Sequence, residues 1–148
     1  MPKRIFITAT RQDEGKTAIT LGLTKIFSAK YPNLGFIKPL GREDFRTGDV
    51  SVDEDVALVA KVCDIHCNIA DMNPVVLHKG VPEEQMSEEA AKNNLDKVRE
   101  SYKAVSEDRD LVIIEGSGHA ATGSAFGLSN ALVAKELDAP VLLVSSGG

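Results

Sequence analysis

Three groups of residues in this 148-residue chain carry the types and spacing that chemistry needs. The first is the run Ala9-Thr10-Arg11-Gln12-Asp13-Glu14-Gly15-Lys16-Thr17. It follows a short β-rich stretch and opens an amphipathic one, which is the setting of a phosphate loop. Gly15 lets the backbone come close to phosphates. Lys16 supplies a point charge toward the β and γ phosphates, and Thr17 offers a hydroxyl to magnesium. Backbone N–H groups at the helix start, with the helix dipole, complete the cradle. Thr10 stands where the usual pattern has its first glycine. Arg11, Asp13 and Glu14 are unusual in such a loop. The two carboxylates either point to solvent or, in the case of Asp13, act as a base or beside the magnesium shell.

The second group is Glu115 with Gly116-Ser117-Gly118-His119 behind it. Glu115 ends the aliphatic run Leu111–Ile114. An acid at the carboxyl end of a buried strand, beside a phosphate loop, can hold magnesium directly or through water. The plainer alternative is a strand-end acid that meets solvent. Gly116 and its neighbours leave room for a ligand to meet the backbone. His119 is either an acid–base group or a loop residue without a role. The third group is Lys38 with the acidic cluster Asp53, Glu54 and Asp55. Lys38 follows a strand-like run and can reach phosphate or a transferring phosphoryl group. Read alone, it is more simply a solvated lysine. One of the three acids can be a further magnesium ligand, or the cluster merely caps a helix.

Those residues need elements to position them. Arg4–Thr8 reads as a strand, Gly15–Lys30 as a helix with Ile19, Leu23, Ile26 and Phe27 on one side, and Leu34–Pro39 as a second strand. Asp53–Cys63 reads as a helix capped by Asp53, Pro74–Leu77 as a short strand, and Pro82–Ser106 as a long charged helix whose acidic side is most simply solvated or else packs against a partner. Leu111–Ile114 and Pro140–Ser145 read as strands buried on both faces. Between them Ser129–Leu137 reads as a helix capped by Ser129 or Asn130. This alternation predicts an α/β fold, a parallel sheet between helix layers, with ligands at the carboxyl ends of its strands. Cys63 and Cys67 flank His66 without the partners a zinc site needs, so they read as small buried side chains on one helix face.

Composition narrows the functions. The length suits one domain. The formal charge of −5 makes a poor general binder of nucleic acid or anionic membrane. No apolar run is long enough to span a bilayer, and the N-terminal one is too short for a signal peptide. The expectation is a cytoplasmic protein. The chain stops at Ser145-Ser146-Gly147-Gly148, directly after a strand that would ordinarily feed another helix. The sequence therefore reads as a fragment or the first part of a longer protein.

The stretches TATRQDEGKT, GFIKPL, DEDVALVA, LVIIEGSG and LSNALVAKELDAPVLLVSSGG resemble dethiobiotin synthetase in order and spacing. The resemblance extends to relatives that amidate cobyrinic acid. It is strongest toward the dethiobiotin-synthetase-like domain that opens phosphotransacetylase-family proteins, to judge by EGSGHAATGSAFGLSNALVAKEL. It implies a P-loop NTPase fold, ATP and Mg2+ as cofactors, a homodimer with its site near the interface, and further C-terminal modules. It also assigns roles. Lys16 and Thr17 match the phosphate-loop lysine and the magnesium threonine, and Asp55 and Glu115 the remaining magnesium ligands. Lys38 matches a catalytic lysine that contacts the substrate carbamate and the γ-phosphate. In dethiobiotin synthetase the carbamate forms from diaminopelargonic acid and CO2, ATP phosphorylates it, and a ring closes. The departures are the charged phosphate loop, the stretch Gly41–Val50 in place of a serine- or threonine-rich substrate loop, and His119-Ala120 after Glu115. Three functions follow: an ATP-dependent enzyme that activates a small acid or an amine-derived carbamate, a nucleotide-sensing regulatory domain, or an inert scaffold.

Overall fold

Alternating β-branched and aromatic residues make Lys3–Ala9 a strand, β1, whose last four residues are fully buried. The computed structural model describes residues 1–42, 45–78, 80, 86–118 and 122–147. After the phosphate-loop segment comes α1 (Lys16–Ser28), then β2 (Leu34–Ile37) and the short strands β3 (Leu40–Arg42), β4 (Phe45–Thr47) and β5 (Val50–Val52). Next come α2 (Glu54–Val62), α3 (Ile69–Met72), β6 (Val75–Leu77) and α4 (Glu88–Ser106). The chain returns through β7 (Leu111–Glu115), a 3-10 turn at Ser124–Phe126, α5 (Asn130–Glu136) and β8 (Val141–Val144).

The main sheet is parallel, in the order β2-β7-β1-β8. Side chains alternate between faces along a strand. Gly35 and its neighbour Val112 lie against Val105 of α4. Glu115, three positions after Val112, faces the other way, toward Thr20 of α1. Helices therefore cover both faces, the three-layer arrangement expected from the sequence. Register puts the strand ends level. Ile37 pairs with Ile114, and Glu115 with Ile7. Lys38, Glu115 and the residues after β1 thus emerge along one edge.

Several boundaries differ from expectation. The inward stripe of α1 is Thr20 and Thr24, both fully buried, whereas Ile19 and Ile26 are exposed. Each threonine hydroxyl donates to the carbonyl four residues back, at 3.0 and 2.6 Å, so burial costs it no hydrogen bond. Leu23 and Phe27 do pack on the core. β8 is not buried. Val141 is 53% and Leu143 56% exposed, because β8 pairs with β1 alone. Cys63 ends α2, and Asp64 then takes a left-handed φ of 52°. The two cysteines therefore do not share a helix face, although both pack partly on the core. β6 forms no part of the main sheet and pairs with β3, while β4 and β5 make a hairpin. The described part of the long helix starts after Ser87, whose hydroxyl caps it; residues 82–85 of that reading and His119 lie outside the described residues.

Candidate active site

α1 begins without a capping side chain. Gly15 sits at the cap position with φ 78°, a left-handed conformation that glycine adopts without strain, and Asp13 is also left-handed at φ 63°. The first turn of α1 holds no acid. Its free N–H groups and positive dipole end thus face an open cleft of about 430 Å³, lined in part by Gln12, Asp13, Gly15, Lys16 and Thr17.

Across the cleft stands Lys38, and it is not solvated: it is 5% exposed. Its Nζ donates to Asp53 Oδ1 at 2.9 Å and to Asp55 Oδ2 at 2.7 Å, and lies 3.5 Å from Glu115 Oε1. The acidic cluster divides its labour. Asp53 caps α2 by accepting from the Asp55 N–H at 3.0 Å, and its second oxygen accepts from the Arg42 N–H at 2.9 Å. Asp55 faces the cleft, within reach of the Thr17 hydroxyl. Glu54 lies on the rim. Glu115 is fully buried, and neither of its carboxylate oxygens has a hydrogen-bond partner. The strand-end acid therefore does not meet solvent.

The charges are tuned accordingly. Burial alone would lower the Lys38 pKa, but Glu115, Asp53 and Asp55 outweigh it and push it well above the ordinary lysine range. Burial raises the Glu115 carboxyl against the pull of Lys38. At Asp55 burial is overcome by the charge and hydrogen bond of Lys38, so its pKa falls. Lys16 falls below the usual lysine value chiefly through burial, with Glu115 opposing.

Two asparagines, Asn73 without an expected role and Asn130 expected only as a possible helix cap, hold this arrangement. Asn73 donates to the Lys38 carbonyl at 2.8 Å and accepts from the Asp53 N–H at 2.8 Å, so one amide joins both sides of the ion cluster. Gly41 passes so close that a β-carbon there would sit 2.6 Å from the Asn73 amide. Ser129, not Asn130, caps α5. Asn130 turns inward, donating to Thr8 Oγ1 at 2.9 Å and to the Ser117 carbonyl at 3.0 Å, and so fixes the loop after Glu115. A lone signal existed for each, a polar residue amid apolar ones, but nothing in the sequence names their partners.

Not every expected residue reaches the cleft. Thr10 and Glu14 turn toward the end of β8. The Thr10 hydroxyl donates to Glu14 at 2.7 Å, and Glu14 also accepts from the Ser146 N–H and hydroxyl at 3.2 and 2.9 Å. Arg11 is exposed, and Gly116 is buried behind the cleft against Asn130 and Phe6. Ser117 and, not singled out from the sequence, Arg42 also line the cleft.

The chain is 29% identical over 117 residues to the ATP-dependent dethiobiotin synthetase of Caldicellulosiruptor saccharolyticus, covering 78% of this chain and 48% of that one. The enzyme of the same name from Clostridium kluyveri is 28% identical, covering the whole of this chain and 64% of its own. The phosphate acetyltransferase of Pseudomonas aeruginosa is 28% identical over 95% of this chain but 19% of that protein. The chain thus spans about half to two-thirds of the dethiobiotin synthetases and about a fifth of the acetyltransferase. No described helix is long and apolar enough to cross a membrane. A protein family described as "AAA domain" is matched over residues 3–148, and with its parallel sheet and phosphate loop the chain belongs to that P-loop family.

Proposed function

We propose that the cleft binds Mg-ATP and uses it to activate a small carboxylate or carbamate by phosphoryl transfer. The observation that carries this reading is convergence. The uncapped start of α1, Lys16, Lys38 and Asp55 line one cleft, and Glu115, from a fourth element, is buried behind it 3.5 Å from the Lys38 ammonium. An inert scaffold has no need of a fully buried carboxylate beside two lysines. The names of the dethiobiotin synthetase relatives, ATP-dependent enzymes, support the same reading.

The donors fit magnesium. The Thr17 hydroxyl and the Asp55 and Glu115 carboxylates are hard oxygen ligands, and Glu115 meets the Lys38 ammonium at 3.5 Å, longer than a hydrogen bond of good geometry. Among the described residues no cluster of three or more His, Cys, Asp or Glu is arranged as a self-sufficient metal cage. Two carboxylates and a hydroxyl suit an ion that takes its remaining ligands from phosphates and water. Bound there, magnesium would neutralise charge on the transferring phosphoryl group.

The chain's own groups do the rest. The N–H groups of residues 15–17 receive phosphate oxygens. Lys16, held partly out of water, faces the β and γ positions. Lys38, kept charged by three acids, faces the γ-phosphate and the acceptor oxygen from the opposite wall. Positioned cations of this kind supply most of phosphoryl-transfer catalysis. Arg42, at the cleft, adds a cation suited to the carboxylate of a small acid.

Calorimetric titration of MgATP tests the reading, alongside Lys16→Ala and Glu115→Ala. Each loss of a charge-assisted contact should cost about 1.5–3 kcal/mol, or roughly ten- to a hundred-fold in affinity. Phosphate release on adding candidate acids or diamines with CO2 then identifies the acceptor. A folded parent that gives neither heat nor a thermal shift with MgATP would remove the proposal.

A further inference from the structure

Lys38 occupies an odd place for a residue that only contacts phosphate. Its ammonium lies against Asp55 and Glu115, the two carboxylates assigned to the metal, at 2.7 and 3.5 Å. A monovalent cation therefore already offsets part of the charge of the seat. We propose that Lys38 is a built-in counter-ion of that seat, which it yields only when phosphates arrive, so that the divalent cation enters together with the nucleotide and not before it. The proposal rests on reading the cleft as a Mg-nucleotide site.

Charge balance drives the exchange. Asp53, Asp55 and Glu115 carry three negative charges when ionised, and Lys16 and Lys38 two positive ones. A divalent ion entering alone would lie beside the buried Lys38 ammonium and share the same two acids. Like charges at such separations repel strongly where water is scarce. Nucleotide phosphates change the balance, because they give both lysines new anions and supply the oxygens that two carboxylates and a hydroxyl cannot.

The movement has a fixed pivot. Asp53 remains engaged by the Asp55 and Arg42 N–H groups, and its own N–H is held by Asn73. Lys38 can keep Asp53 and release Asp55 and Glu115. Asp53 thus anchors, while the other two acids are shared between ammonium and metal. Linkage is reciprocal, so metal and nucleotide should each raise the other's affinity, and Lys38 should carry much of that coupling.

Mn2+ is the probe, followed by electron paramagnetic resonance with and without a non-hydrolysable ATP analogue, after correction for metal on free nucleotide. Wild type should bind Mn2+ weakly alone and at least about tenfold more tightly with the analogue. Lys38→Met should bind Mn2+ alone about tenfold more tightly than wild type does, with the coupling reduced. Equal Mn2+ affinity of the two proteins without nucleotide overturns the exchange and leaves the nucleotide site standing if the analogue still binds. Absence of Mn2+ from both proteins even with the analogue overturns the metal seat itself. If Lys38→Met does not fold, the 15N resonance of the wild-type Lys38 ammonium decides. It should hold its position in Mg2+ alone and move when Mg2+ and the analogue are added together. Movement in Mg2+ alone overturns the proposal.

Discussion

β7 and β8 flank the same central strand, run in the same direction, and are built from similar aliphatic runs, LVII and VLLV. Their surroundings are opposite. β7 pairs on both sides and every residue of it is buried, whereas three of the four residues of β8 are exposed. The acids near their ends differ in the same sense. Glu115 is sealed in, lacks a hydrogen bond and has its pKa raised by burial. Glu14 lies at the surface, and hydrogen bonds from Thr10 and Ser146 lower its pKa. The β7 side is thus a dry, electrostatically tense wall, and the β8 side, outside the cleft, a wet, hydrogen-bonded rim. Composition did not decide this; the number of neighbouring strands did.

The sharpest way to break the comparison is in the strands. Ile113→Ala opens a cavity in β7 and should cost about 2–5 kcal/mol in chemical denaturation. Leu143→Ala in β8 should cost less than about 1 kcal/mol. Similar losses at both positions would mean that β8 is covered in solution.

The two walls should also differ in how they depend on buried amides. Asn73→Ala strips a partner from the Lys38 carbonyl and from the Asp53 N–H. Leaving buried groups unpaired costs about 1–3 kcal/mol in stability. Nucleotide affinity should fall with it, because the pivot of Lys38 is loosened. Unchanged MgATP binding in a measurably destabilised Asn73→Ala would show that the ion cluster organises itself without the amide.

The smallest effect belongs to the rim. The Glu14 carboxyl titrates below its ordinary 4.5 in the folded chain, so its contribution is present above pH 4.5 and is lost as pH falls through the lower folded value. The protection of the Ser146 amide, its exchange rate set against the intrinsic rate at each pH, should therefore fall on acidification, and Glu14→Gln should flatten that response. An exchange rate whose acid dependence is the same in both proteins would show that the Ser146 contact is not held by the charge.

Much of the scaffold was legible because its determinants are local. Asp53 and Ser129 announce helix starts by residue type, and the gap between β1 and α1 places Gly15-Lys16-Thr17 at a strand-to-helix junction, where a phosphate loop works. The site was legible in its charged members but not in their setting. That Lys38 is buried follows from its three acids, which lie 15, 17 and 77 residues further along the chain. That Thr20 and Thr24, and not Ile19 and Ile26, face inward follows from what α1 packs upon. Asn130 reads as a cap by type, yet its partner Thr8 is 122 residues away. Periodicity cannot see such pairings, nor could it tell β8 from β7.

Asn73 is followed by Pro74. Asparagine side chains age by cyclisation: the backbone nitrogen of the next residue attacks the amide carbon and expels ammonia. Proline's ring nitrogen carries no hydrogen and cannot complete that attack to a neutral succinimide. The amide that ties Lys38 to Asp53 is therefore closed to the main route by which such a group turns into a carboxylate, a change that would add another negative charge to the ion cluster. The proline that ends α3 thus protects the chemical lifetime of the cleft as well as its shape.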